Sequence, residues 1–139
     1  MINTDITHPE ILKALASAGH GAQIIIVDGH FPFSTGPRPE VPRVYLNYAP
    51  GLLSVPDILR PLVKTIPLES VAAPVPDDGS EPPIFPEYRE ILPEGLEIQK
   101  LGRFDFYDHV RSPNTALLIA SAEIRTYACI SLTMGLRTF

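Results

Sequence analysis

The chain has one cysteine, Cys129, among 139 residues, which excludes an internal disulfide and any cysteine-built metal cluster. Basic residues are scarce too: eleven Lys and Arg against sixteen Asp and Glu leave a net charge of −5. Phosphate backbones are gripped by clustered Lys and Arg, so nucleic acid is excluded as a partner. No apolar run approaches the roughly 18 residues that read as a membrane span. Met1-Ile2-Asn3-Thr4-Asp5 has neither the basic start nor the apolar stretch of a secretory signal. The expectation is a cytoplasmic protein with no membrane attachment.

Proline is not scarce. Sixteen prolines and nine glycines punctuate the chain without repeating, which predicts many short elements with rigid connections rather than a disordered tail. With 45% hydrophobic and 19% charged residues, residues 1–139 suffice for one globular domain with a real core.

Thr7-His8-Pro9-Glu10 reads as a helix start, with Thr7 as cap and Pro9 in the first turn. Ile11, Leu12, Ala14, Leu15 and Ala18 make its apolar stripe, and Gly19 suits the position after its end. Ile24 to Val27 reads as a short buried strand, and prolines 32, 37, 39 and 42 forbid regular structure over 29–42. Arg43 to Tyr48 alternates as a strand. Ser54 caps a second helix through Ile66, which Pro61 should kink or shorten. Strands over 69–75 and 97–101, helices over 85–92 and 104–110, and central strands over 115–122 and 128–134 complete the pattern, with an exposed loop at 76–83. This alternation predicts an α/β domain with helices packed on a central sheet.

The most informative stretch is Gly19-His20-Gly21, then the strand, then Asp28-Gly29-His30-Phe31-Pro32. Glycines on both sides place the His20 ring on a tight turn. An imidazole and a carboxylate are the pair that general acid–base chemistry at neutral pH asks for. Five strand residues span roughly 16 Å, so His20 and Asp28 bracket the strand. They can share a cleft only if the turn folds back or across a subunit boundary. From the residues alone His20 fits a turn histidine donating to a carbonyl better than a catalytic group, and Asp28 also fits a cap on the following turn. His30 is either a polar pocket wall or a loop-orienting side chain. Cys129, in an apolar strand with no basic partner, reads as a small buried hydrophobe. His8 and His109 read as solvated, and four scattered histidines show no metal-ligand spacing.

Leu15-Ala16-Ser17-Ala18-Gly19-His20-Gly21, Ile24 to Asp28, His30-Phe31-Pro32, Gly51-Leu52-Leu53, Arg103-Phe104-Asp105-Phe106-Tyr107 and the 123–127 segment together resemble the sugar mutarotases comprising D-ribose pyranase and L-fucose mutarotase. The similarity is nearer the fucose branch and extends over nearly the whole chain. It implies a subunit that assembles into rings, often decamers of two pentamers, with sites near subunit boundaries. A 45% hydrophobic composition fits such a homo-oligomer, which must cover apolar surface. The resemblance makes His20 the catalytic histidine and Asp28, Arg103 and Tyr127 binders of a monosaccharide. Family members follow that tyrosine with Gly-Asn, where this chain has Ala128-Cys129. A thiol replaces an amide that both donates and accepts, so the sugar is in question more than the activity.

The implied chemistry is the interconversion of sugar anomers or ring forms by opening a hemiacetal, an isomerase reaction needing no metal, nucleotide or other cofactor. A sugar-binding accessory protein of an uptake pathway, with the pocket kept and catalysis lost, is the alternative that the Ala128-Cys129 departure holds open.

Overall fold

A computed structural model describes all 139 residues. A six-stranded sheet of order β2-β5-β1-β6-β3-β4 carries helices on both faces. In chain order the elements are α1 (Pro9–Ser17), β1 (Gln23–Val27), β2 (Arg43–Tyr45), α2 (Val55–Thr65), β3 (Leu68–Pro74), α3 (Phe85–Ile91), β4 (Ile98–Leu101), α4 (Arg103–Val110), β5 (Thr115–Ala120) and β6 (Ile130–Met134). Strand β6 runs antiparallel to its neighbours β1 and β3, and every other pairing is parallel.

β1 explains why the apolar run does not alternate with polar residues. Ile24, Ile25, Ile26 and Val27 are all fully buried between β5 and β6, as expected where both faces of a sheet are covered. Successive side chains point to opposite faces. Ile24 and Ile26 therefore join a core of 24 residues beneath α1, α2 and α3, while Ile25 and Val27 join a smaller one of 8 with Phe31, Phe106, Val110 and Cys129. Full burial of one such side chain stabilises by about 1.5–3 kcal/mol, so this strand is the fixed axis of the domain.

Several local expectations need correction. His8, not Thr7, caps α1: its Nδ1 accepts from the Ile11 N–H at 3.4 Å. Gly19 does follow the helix, but the left-handed turn falls on Gly21 (φ 85°). Pro61 does not shorten α2, which runs on to Thr65. The one backbone bond a mid-helix proline removes costs about 3 kcal/mol, whereas burial of Ile58, Leu59 and Leu62 contributes more in sum. β2 ends at Tyr45 because the chain doubles back around Gly51 (φ 83°), with Tyr48 N–H donating to Leu52 carbonyl at 2.8 Å. Tyr48 is left exposed.

His109 also departs from expectation, being half-buried rather than solvated. It stacks on Phe106, and its Nε2 lies 2.8 Å from Ser131 Oγ of β6. Burial pushes the imidazole below its ordinary 6.5, so between the lowered value and 6.5 the unfolded chain binds more protons than the fold. The stability of this contact is complete above pH 6.5 and is lost as pH falls through the folded value. His109→Gln keeps a donor to Ser131 without the titration. Its urea-unfolding midpoint should vary less than wild type on acidification below pH 6.5, and equal variation would contradict this placement.

Candidate functional site

A cleft of about 250 Å³ opens at the edge of the sheet where β1, β3 and β4 end, lined by Asp28, His30, Phe31, Pro74, Arg103, Phe106, Tyr107, Thr126, Tyr127 and Cys129. The carboxyl ends of parallel strands are where open α/β sheets bind ligands. Antiparallel β6 begins at this same edge, so residues just before it face residues just after β1.

Asp28 joins the two. Only 5% exposed, it accepts the His30 N–H at 2.9 Å on Oδ1, and on Oδ2 the Ala128 N–H at 3.1 Å and the Cys129 thiol at 3.4 Å. The Asp28 N–H in turn donates to Cys129 Sγ at 3.3 Å. Asp28 thus caps the turn after β1 and faces the cleft at once. Cys129 is both a buried small side chain and a cleft wall. Burial, then the neighbouring Asp28 charge, push its thiol well above the ordinary value, so it acts as a neutral donor and not as a nucleophile.

Tyr127 has φ 55°, a left-handed conformation costly for a bulky side chain. The half-buried ring belongs to the turn that leads into β6. Contacts that hold that turn include the Ala128–Asp28 bond just described, the Gly29 N–H donating to the Glu123 carbonyl at 2.8 Å, and Arg125. The guanidinium of Arg125 grips Glu123 through Nε (2.9 Å) and Nη2 (3.0 Å) and pairs with Glu87 of α3. Burial raises the Glu123 carboxyl, but the Arg125 hydrogen bonds outweigh it and hold the group below its usual range. Nothing in the sequence pattern distinguishes Arg125 from a solvated arginine. Tyr88 of α3, whose hydroxyl donates to the Cys129 carbonyl at 3.3 Å, was equally invisible there.

Arg103 opens α4 at the cleft mouth. It has no carboxylate within ion-pair distance; its Nε donates to Tyr107 Oη at 3.4 Å, which raises its pKa, and it lies over the Phe104 and Tyr107 rings. Its other donors are free for a ligand. His30 donates from Nε2 to the Ile124 carbonyl at 3.0 Å, which leaves Nδ1 as the acceptor of a neutral ring. The structure therefore brings Asp28, His30, Arg103, Tyr127 and Cys129 together.

His20 lies elsewhere. Its turn sits at the opposite edge of the sheet, where Gly21 N–H donates to the Met134 carbonyl, and the turn does not fold back to the cleft within one chain. The ring is more than half exposed and pairs through Nε2 with the Glu69 carboxylate of β3. No group of three His, Cys, Asp or Glu side chains converges anywhere in the fold, and no helix is long and apolar enough to cross a membrane.

Residues 1–137 match the RbsD / FucU transport protein family. The chain is 31% identical over 147 residues to the fucose mutarotase of Mus musculus, covering 94% of this chain and 90% of that one. It superimposes on the crystal structure of the fucose mutarotase from Streptococcus pneumoniae in complex with L-fucose with a TM-score of 0.81, 25% identity and coverage of 99% and 98%. Bacillus subtilis RbsD complexed with D-ribose gives 0.84 at 22% identity, covering 99% and 100%, a likeness of fold.

Removing the carboxylate that joins the two segments should be felt throughout the cleft. Asp28→Asn turns an N–H donor toward either the Ala128 or the His30 N–H, leaving a buried donor unpaired. A loss of about 1–3 kcal/mol is expected in urea denaturation. Unchanged stability would remove Asp28 from this joining role.

Proposed function

The chain belongs to the RbsD / FucU family, and we propose that it is a cofactor-independent sugar mutarotase acting in the cytoplasm on an L-fucose-like monosaccharide. The observation that carries this reading is the convergence of Asp28, Arg103 and Tyr127 on one cleft in a chain similar along its length to fucose mutarotases.

A carboxylate offers about four acceptor sites, and three of those on Asp28 are taken by protein donors. One remains, suited to a single sugar hydroxyl. The free donors of Arg103 and the hydroxyl of Tyr127 complete the grip by charge-assisted and ordinary hydrogen bonds, with His30 as a polar wall. The aromatic faces of Phe31, Phe106 and Tyr107 oppose the ring carbons.

Anomers interconvert when a base removes the proton of the anomeric hydroxyl, the bond from the anomeric carbon to the ring oxygen breaks, and an acid protonates that oxygen. The open-chain aldehyde then rotates and recloses by the reverse steps. His20 is the proposed acid–base group, oriented by Glu69 and delivered to the cleft by a second copy of the chain in a ring. Support for this delivery comes from the exposure of the His20–Glu69 pair. Exposed Tyr45, Tyr48, Leu52, Phe104 and Ile124 also supply apolar surface that an assembly would cover.

A single copy would hold sugar without a proton shuttle, which keeps the accessory sugar-binding reading in view. Cys129, satisfying Asp28 where family members carry asparagine, favours that reading or a different sugar. Cys129→Asn with Ala128→Gly should raise activity toward fucose-like sugars. If the folded double variant gains nothing on any sugar, Cys129 acts only through Asp28.

Subunit mixing tests the central arrangement. His20→Ala should slow anomer exchange by on the order of 10²-fold, and Arg103→Ala should weaken sugar binding. Refolded together, the two variants should recover activity, because some boundaries then pair an intact His20 with an intact Arg103. Mixed assemblies as slow as the separate variants, or a 15.3 kDa monomer that is fully active, would contradict delivery from a second copy.

A further inference from the structure

The proline-rich segment between β1 and β2 has the look of a lid: it is long, irregular and adjoins the cleft through Phe31. Its hydrogen bonds say otherwise. Arg43, at the start of β2, turns its guanidinium back into the loop and donates to the carbonyls of Phe33 (Nε, 2.9 Å), Val41 (Nη1, 2.7 Å), Pro37 (Nη2, 3.1 Å), Arg38 (Nη1, 3.4 Å) and Ser34 (Nη2, 3.4 Å). A guanidinium has five N–H donors in a fixed fork. All five are spent on one loop, and none on a carboxylate. Arg38 fastens the same loop outward, donating to the carbonyls of Ser112 at 3.3 Å and Pro113 at 3.0 Å just beyond α4.

The loop bears directly on the cleft. Gly36 is buried, and a Cβ on it would fall 2.6 Å from Phe31 Cε1 and 2.9 Å from Cζ. The Phe31 ring is thus pressed from behind by loop backbone. In front it meets Phe106 and Tyr107 edge-on, at 6.3 and 5.5 Å between centroids, and Tyr107 holds Arg103.

We infer that residues 32–42 form a fixed wall of the cleft rather than a lid, with Arg43 and Gly36 as positioning residues that set the Phe31 ring against Tyr107, the residue that holds Arg103. The inference rests on the cleft being the sugar site. A lysine at 43 has three donors on one point and cannot span five carbonyls. A misplaced wall weakens sugar binding before it alters proton transfer, because neither residue touches the reacting atoms.

Hydrogen exchange by mass spectrometry on the whole assembly, with and without L-fucose, tests the wall; anomer-exchange kinetics test the positioning. The bonded amides of Thr35, Gly36 and Val41 should be protected in the free protein and unchanged by L-fucose. Arg43→Lys should expose them and raise KM on the order of tenfold, with kcat changed by less than about twofold. Gly36→Ala should raise KM likewise, because the added methyl meets both the Phe31 ring edge and the Pro32 carbonyl oxygen. Loop amides that exchange freely until L-fucose protects them would overturn the inference, as would wild-type KM in both Arg43→Lys and Gly36→Ala. Should Arg43→Lys fail to fold, Gly36→Ala decides the positioning. If wild-type protein catalyses no sugar exchange, the functional reading fails, while protection in the free protein still decides whether the loop is fixed.

Discussion

The site depends on one buried carboxylate. Asp28 stands where β1 ends and receives donors from residues on both sides of the cleft, two of them a hundred or more positions away in sequence. Without it the 128–129 end of that segment loses its tie to the turn after β1, and Tyr127 loses the neighbouring bond that holds its left-handed backbone in place. A buried ionised group is costly unless hydrogen-bonded, so the same three donors that build the site also make the carboxylate tolerable there. Structure and ligand compete for the same lone pairs, and only the small remainder is available to a sugar.

Around that centre the rigid parts are arranged by simple means. A strand of four β-branched residues fixes Asp28 to the sheet. Two arginines do the rest by gripping backbone or carboxylate: Arg43 the 32–42 loop and Arg125 the 123–127 turn, each held by several bonds at once. Fixed geometry of this kind suits a reaction that needs only a positioned proton donor and acceptor.

Much of the fold was legible because short, strongly apolar runs between prolines and glycines leave few alternatives. The 24–27 run and the Ser54 start of α2 are cases where periodicity and capping agree. The capping box at α2 pairs Ser54 with Asp57 as such boxes do. Where expectation failed, a tertiary contact decided: His109 is drawn under the sheet by Ser131, and Pro61 is overruled by the burial around it. Of the site, the residues themselves were legible, mostly through family resemblance. Their grouping was not. That His20 stands at the far edge follows from the strand length, but that Asp28 binds Ala128 and Cys129 and that Arg43 cages a loop have no periodic signature.

The central claim is that this cleft, completed by a second copy, opens and closes a hemiacetal ring. Exchange spectroscopy by NMR on reducing monosaccharides, L-fucose first, reads that reaction directly without a coupled assay. The account predicts that exchange between α and β anomers of at least one such sugar speeds up in proportion to added protein. Exchange no faster than in buffer for every sugar in the panel, with the protein folded and assembled, would contradict it.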